Sequence, residues 1–334
     1  MRPYKILCLT DHDSHSKENS IYALLTAMSK SERCSELYVA SRSASSNKAF
    51  FKDHDFNTLF AYKVDGILEY EASKKNLHQH LARISPRDFD VIFLRLPRPV
   101  SDSFLLDLDE SFSDTCIINK PSGILVTSSK AVLLNFPEVC PPIRLCKSKE
   151  EVLDFANQYD LVLKPLREYG GKGIVRIKDG LVNDGHDNIE IELYLDSIES
   201  ILQSEGVLAM KYLKNVSQGD KRLIVVNGEI LAASLRLPSK DTWLCNVAMG
   251  GTSVGSEAEA EEIEIIKRIS PFLEEKGILI YGADTLVDDD GKRVLSEINT
   301  LSIGGFPQAE QQSGRPIIKM TIEKIFTYAD VFFQ

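Results

Sequence analysis

The sequence predicts an α/β and α+β protein of several lobes, and three features of the chain predict it. Strand-like and helix-like segments alternate up to about residue 121, a Gly-rich loop splits the strands of the middle section, and antiparallel signals crowd the last third. At 334 residues the chain exceeds one small core and fits two or three packed lobes.

The opening run 4–10 (YKILCLT) is apolar and β-prone, and a polar loop separates it from a helical run over 21–28. Strands are expected at 36–40, 64–69, 90–95 and 116–119, with helices near 71–82 and 103–108, giving a small parallel α/β lobe over 1–122. A second, α+β lobe over 123–206 holds a helix at 128–136, a Pro-rich turn, a helix at 149–158 with Ser148 as N-cap, and strands flanking the Gly-rich loop. The third lobe, 207–334, opens with 208–213 and continues with 222–226, which turns at Asn227-Gly228 into 229–237. Asn-Gly between apolar runs is the strongest short-range hairpin signal. A helix at about 257–276, strands at 278–287 and 293–299 joined through Asp289-Asp290-Gly291, and a helix at about 316–328 complete it.

Composition narrows the function. A formal net charge of -10 disfavours a protein that embraces nucleic acid, which requires a broad basic face. No apolar run approaches the roughly 20 residues of a membrane helix, and the apolar stretch at 6–9 reads as a buried strand, not a secretion signal. The six cysteines are scattered without a C-x-x-C pair, which fits a reducing cytoplasm. His12, His15 and the His78-Gln79-His80 pair lack Cys/His partners at zinc spacing and read as solvated histidines.

Two constellations carry chemistry. Residues 161–176 (LVLKPLREYGGKGIVR) form a strand ending in Lys164, a turn, Gly170-Gly171 and a second strand. Glycines let backbone N–H groups approach phosphate oxygens, but a flexible hairpin tip with Lys164 reaching solvent fits this stretch equally well by itself. In the second, a two-residue turn at Asp290-Gly291 sets Asp284 directly opposite Glu297, Cβ atoms about 5 Å apart, with Asn299 on the same face. A turn at Asp289-Asp290 keeps the three together, whereas a three-residue loop separates them. Opposed carboxylates beside a carboxamide suit a hard cation such as Mg²⁺, and apolar Leu286, Leu295 and Ile298 favour this over a solvated acidic hairpin. Asp220, Lys221, Arg222 and Arg236 supply nearby charge, although a plain Asn227-Gly228 hairpin puts Arg222 and Arg236 on opposite faces; a bulge or bend is needed to join them.

In this order the residues resemble the prokaryotic glutathione synthetase family of ATP-grasp ligases, from about residue 90 to 302. The matching stretches are Asn119-Lys120-Pro121 with Lys130 nine residues later, DLVLKPLREYGGKGI, GDKRLIVVNGEILAASLRLP and GADTLVDDDGKRVLSEINT. The resemblance implies an ATP-grasp fold behind an N-terminal parallel α/β (pre-ATP-grasp) domain. It implies that Lys130 and Lys164 touch the ATP phosphates under the Gly170-Gly171 loop, that Met210, Lys211, Tyr212 and Leu213 form the adenine hinge, and that Asp220 lies near the nucleotide. Asp284, Glu297 and Asn299 are implied ligands of two Mg²⁺ ions, or Mn²⁺, while Arg222 and Arg236 hold the transferring phosphoryl group and the acyl phosphate. Asn246, Gly250 and Gly251 resemble a loop near the γ-phosphate, and Arg95 an acyl-substrate contact.

The implied reaction joins an acid, γ-glutamylcysteine, to an amine, glycine, through an acyl phosphate. The pattern departs from the family at Thr300-Leu301-Ser302-Ile303-Gly304-Gly305-Phe306, where a Ser-Pro pair is usual, and over the first ninety residues. Ser302 is carried as a substrate contact within that altered loop, which leaves open a ligase for another acid and amine. A nucleotide-binding regulatory module has no use for transition-state cations, and a purely structural protein leaves the Gly loop and acidic trio unexplained. The expected partners are small molecules, with no nucleic acid and no membrane, and the chain is expected to form a homo-oligomer.

Overall fold

A computed structural model of the chain describes residues 2–168, 170–185, 187–238 and 252–334. The described residues form three sheets, each with its own helical cover.

The first sheet is built from β1 (Tyr4–Thr10), β2 (Cys34–Ser41), β3 (Leu59–Lys63), β4 (Ala82–Ile84), β5 (Val91–Leu94) and β6 (Cys116–Ile118), in the order β4-β3-β2-β1-β5-β6. Its centre is parallel, as alternation with helices requires, and β3 and β4 add an antiparallel edge. The strand expected at 64–69 lies earlier. Leu59 and Ala61 are the buried members of an alternating run, and the chain leaves the sheet before Gly66, whose φ of +85° only glycine adopts readily. The helices α1 (Ser20–Ser29), α2 (Lys48–Lys52), α3 (Tyr70–Gln79) and α4 (Asp102–Ser111) flank this sheet, α1 capped by Asn19 and α4 by Ser101.

The helix expected at 128–136 is preceded by α5 (Pro121–Thr127), with Pro121 in its first turn, and is itself a 3-10 segment over Lys130–Asn135. A second sheet, β11-β10-β9-β8-β12-β7, comes next, built from β7 (Ile143–Cys146), β8 (Leu161–Pro165), β9 (Val175–Lys178), β10 (Leu181–Asn183), β11 (Asn188–Glu190) and β12 (Val207–Lys211). Its helices are α6 (Lys149–Ala156), α7 (Ile191–Ser197) and α8 (Glu199–Ser204), and Ser148 caps α6 as its sequence position indicates. Because β12 pairs with β7 and β8, it is a member of this sheet although sequence punctuation at Gly206 assigns it to the third lobe.

The third sheet is antiparallel, β15-β14-β13-β16-β17: β13 (Asp220–Val226), β14 (Glu229–Leu237), β15 (Thr252–Ser256), β16 (Ile280–Val287) and β17 (Arg293–Asn299). One face receives α9 (Ala260–Glu275), where the ammonium of buried Lys221 is matched by Glu259 and by fully buried Glu262. The final helices are α10 (Phe306–Ser313) and α11 (Ile317–Phe332). The latter packs on α1 and β6, so the C-terminus closes the first lobe.

Asn119, at the end of β6, joins the first and third sheets. Its Nδ2 donates to the carbonyls of Ile280 and Thr300 at 2.6 and 2.7 Å, and its Oδ1 accepts from the amides of Leu279 and Ile280 at 3.0 and 2.9 Å. All four hydrogen-bonding positions of the carboxamide are filled by backbone more than 150 residues away in sequence.

Candidate active site

The site rests on two hairpins, each carrying one residue more than a regular ladder. In β13–β14 the turn is Asn227-Gly228, with φ of +52° and +70°, and Val226 pairs with Glu229. Val225 pairs with Ile230 but Ile224 pairs with Ala232, so Leu231 is bulged out. The extra residue reverses the parity of the rest of β14. Arg236 comes to lie opposite Asp220 on the face of Arg222, resolving the conflict that a plain hairpin poses.

In β16–β17 the connection is the five-residue loop 288–292, not a two-residue turn. The Asp288 amide donates to the Lys292 carbonyl, and the Asp288 side chain accepts from the amides of Asp290 and Lys292. Val287 therefore pairs with Arg293, and an uninterrupted ladder would bring Ser296 opposite Asp284. A bulge at Ser296 restores the expected pairing of Asp284 with Glu297, and Asn299 lies opposite Gly282 on the same face.

These side chains meet at the end of the sheet. Asp284, 3% exposed, takes both Nε and Nη2 of Arg222, the latter at 2.7 Å, and Nη2 of Arg236 at 2.9 Å. Arg236 also forks onto Asp220, with Nε to Oδ1 at 2.7 Å, and Asn299 Nδ2 lies 3.4 Å from Asp284 Oδ2. Burial pushes the Asp284 carboxyl up, but the two guanidinium charges and their hydrogen bonds outweigh it and hold it at about 2. Asp220 moves the other way, raised by burial and by the charge of Asp284.

Two lysines complete the charge pattern. The ammonium of Lys164, buried, lies 3.1 Å from both the carbonyl and the hydroxyl oxygen of Ser296, so the bulge supplies its partner. Burial lowers its pKa, with Glu297 opposing and Lys130 adding to the effect. Lys130 donates to the Glu168 carbonyl and lies 3.4 Å from Glu297 Oε1. The sequence contains no advance signal for Ser296, whose role depends on the count of residues in the loop.

Between the second and third sheets a narrow cleft of about 80 Å³ opens above this group. Val162, Ile174, Met210, Leu213 and Leu286 give it apolar walls, and Lys164, Asp220, Asp284 and Glu297 line the charged part. The segment Met210 to Leu213 runs along one wall as β12 leaves the second sheet. There Tyr212 donates its amide to the Asp160 carbonyl and carries the Arg176 guanidinium on its ring, and Lys211 pairs with Asp289 at 2.8 Å. Gly170 and Gly171, with φ of +68° and +83°, form the open tip between β8 and β9.

Arg95 and Ser302 come together at the junction with the first lobe, but spend polar atoms on backbone: the Arg95 guanidinium donates to the Ile303 carbonyl, and the Ser302 hydroxyl donates to that of Leu96 at 2.7 Å. Asn246, Gly250 and Gly251 lie outside the described residues.

The donor set fits a hard divalent cation, being two carboxylates and a carboxamide on one face, with the Asp284 carboxylate already held ionised by positive charge. Residues 129–314 match the family model described as prokaryotic glutathione synthetase, ATP-grasp domain. The chain belongs to this family. It is 30% identical over 266 residues to the glutathione synthetase of Brucella melitensis biotype 1, covering 76% of this chain and 81% of that one. Against the glutathione synthetase of Prochlorococcus marinus strain MIT 9313 it is 31% identical over 244 residues, 71% and 75% of the two chains. Among solved structures, D-cycloserine synthetase DcsG superposes with a TM-score of 0.67 over 98% of this chain and all of its own, at 13% identity. The ADP complex of N5-carboxyaminoimidazole synthetase from Staphylococcus aureus gives 0.60 over 97% and 78%, at 12% identity. Both likenesses cover the first lobe as well as the second and third. As a member of the glutathione synthetase family the chain is an ATP-dependent carboxylate–amine ligase acting on small molecules with a divalent metal. Among the described residues, no helix is long and apolar enough to cross a membrane.

Proposed function

We propose that the chain is a glutathione synthetase, joining γ-glutamylcysteine to glycine at the expense of ATP. The observation that carries the reading is the opposition of Asp284 and Glu297 beneath a cleft walled by Met210 and Leu213, with Arg222 and Arg236 on the same face. Relatives named glutathione synthetase match about three quarters of its length.

In this reading the adenine lies along Met210 to Leu213, near Asp220, and the phosphates run toward Lys130 and Lys164 beneath Gly170 and Gly171. Asp284, Glu297 and Asn299 hold two Mg²⁺ ions, replaceable by Mn²⁺, which neutralise phosphate charge when bound. The acid's carboxylate attacks the γ-phosphate, and an acyl phosphate forms as ADP departs. Arg222 and Arg236 then have a double duty: they neutralise buried Asp284 and Asp220 beforehand, and they offer guanidinium N–H groups to the phosphoryl oxygens during transfer. The glycine-rich tip excludes water from the acyl phosphate until the amine attacks. Arg95 and Ser302 shape the acyl-substrate end in this assignment. A cytoplasmic homo-oligomer completes the reading, the scattered cysteines suiting a reducing compartment.

The altered loop after Asn299 favours a second reading, a ligase of the same chemistry for a different acid and amine. Ser302 there is followed by Ile303, where the family's Ser-Pro pair has a proline. Phosphate release with ATP and Mg²⁺ distinguishes the two. Turnover that requires γ-glutamylcysteine and glycine together supports the first, and indifference to that pair with turnover of another acid and amine replaces it by the second.

A further inference from the structure

The first sheet carries a group of imidazole and carboxylate side chains outside the cleft. β1 lies between β2 and β5, and the chain leaves its carboxyl end where the strand order reverses. Crevices beyond the carboxyl ends of strands at such reversals are where open α/β sheets take ligands. The departing segment is Asp11-His12-Asp13. His12 is buried, contrary to its reading as a solvated residue, and its Nδ1 lies 2.5 Å from Ser41 Oγ and 3.0 Å from Ser43 Oγ. Ser41 Oγ also accepts from the His12 amide at 3.1 Å, fixing the residue from both ends. From α3 comes His78, and the two Nε2 atoms stand 2.7 Å apart. Asp13 Oδ1 lies 3.3 Å from His12 Nε2 and 3.8 Å from that of His78.

We propose that His12, His78 and Asp13 form a binding site for a divalent transition metal of the zinc class, separate from the magnesium-type site of the cleft. Three donor atoms at these separations lie on a circle of radius about 1.9 Å, so a position about 2.0–2.1 Å from each exists just off their plane, the distance zinc takes from imidazole and carboxylate. The hydroxyls on Nδ1 orient the His12 ring so that Nε2 faces the other two donors, the outer-shell arrangement that metal-binding histidines require. Two imidazoles select a borderline transition ion over Mg²⁺. The third nearby histidine stays out: His15 spends Nε2 on Thr10 Oγ1 and Nδ1 on Tyr22 OH, both at 2.9 Å. Three protein donors leave a coordination position for water or a ligand atom, and the side chains of His78 and Asp13, 45% and 66% exposed, give the ion a path from solvent.

Equilibrium dialysis of the full chain against Zn²⁺, with Mg²⁺ in excess and no nucleotide, tests the site. The expected result is one Zn²⁺ per chain, with affinity reduced about tenfold or more by His78→Ala and unchanged by Glu297→Gln. Asp13→Ala, also at an exposed position, should weaken uptake likewise and serves if His78→Ala fails to fold. Absence of saturable uptake by the unmodified chain, or uptake that both His78→Ala and Asp13→Ala leave intact, overturns the proposal.

Discussion

Glu297 faces Asp284 across the β16–β17 ladder, yet the two carboxylates are compensated in different ways. Asp284 is buried against two guanidinium groups, whereas Glu297 reaches into the cleft with Lys130 at 3.4 Å. The first is already neutralised within the sheet, and the second is the more open of the two to a ligand. Glu297→Gln, which keeps the shape and removes the charge, is therefore expected to lower metal-dependent turnover about 100-fold or more while moving the melting temperature little. Steady-state kinetics with a parallel thermal melt checks it, and stability falling as far as activity would make Glu297 a structural residue.

The position of Arg222 depends on a neighbour without a side chain. A Cβ added at Gly282 on β16 would lie 3.0 Å from Arg222 Cδ and 3.2 Å from its Nε. The arginine can swing aside, so Gly282→Ala should leave folding nearly intact and displace the guanidinium from Asp284. The expected cost is about tenfold or more in kcat, with nucleotide affinity, measured by titration calorimetry, changed much less.

Asn119 should matter to stability more than its exposed equivalents would. Asn119→Ala leaves two buried amides and two carbonyls without their partner, at a cost of about 3 kcal/mol or more. Urea unfolding checks this. Asn119→Asp, which turns a carboxylate oxygen toward the carbonyls of Ile280 and Thr300, is expected to cost at least as much.

Stability should also decline on mild acidification because of His15. Burial is the main cause that lowers its pKa to about 4, helped by the neighbouring charge of His12. Between the unfolded value near 6.5 and about 4, the unfolded chain binds a proton that the folded one refuses, so stability is lost as pH falls through that window. After allowance for its partial exposure the contribution is about 2 kcal/mol. Chemical denaturation at pH 7 and pH 4.5 should find a smaller difference in His15→Gln than in the unmodified chain.

Much of the site is legible in the sequence because it lies on hairpins. Asn227-Gly228 marks the β13–β14 turn, and counting alternate residues brings Asp284, Glu297 and Asn299 to one face. The expected pairing nevertheless arises from a different turn, since a five-residue loop and a bulge at Ser296 together reproduce the parity of a two-residue turn. Bulges leave no mark in hydrophobic periodicity: Leu231 and Ser296 look like ordinary strand residues. The run 64–69 imitates a strand because Val64, Ile67 and Leu68 are apolar, whereas Leu59 and Ala61 are the residues that alternate into the core. Contacts such as Asn119 to Thr300, or His12 to His78, join distant segments and have no local spacing to betray them.

The paired bulges make the two hairpins sensitive to length in an uneven way. At the tip beyond Val287 and Arg293, residues can be gained or lost without turning any side chain over, provided the flanking ladder holds. Deleting Ile298 has the opposite outcome, sending either Glu297 or Asn299 to the helix-covered side of the sheet. Descendants of this chain are thus free to drift in loop length at the tips, while deletions of regularly paired residues inside β14 or β17 are the changes that selection must remove.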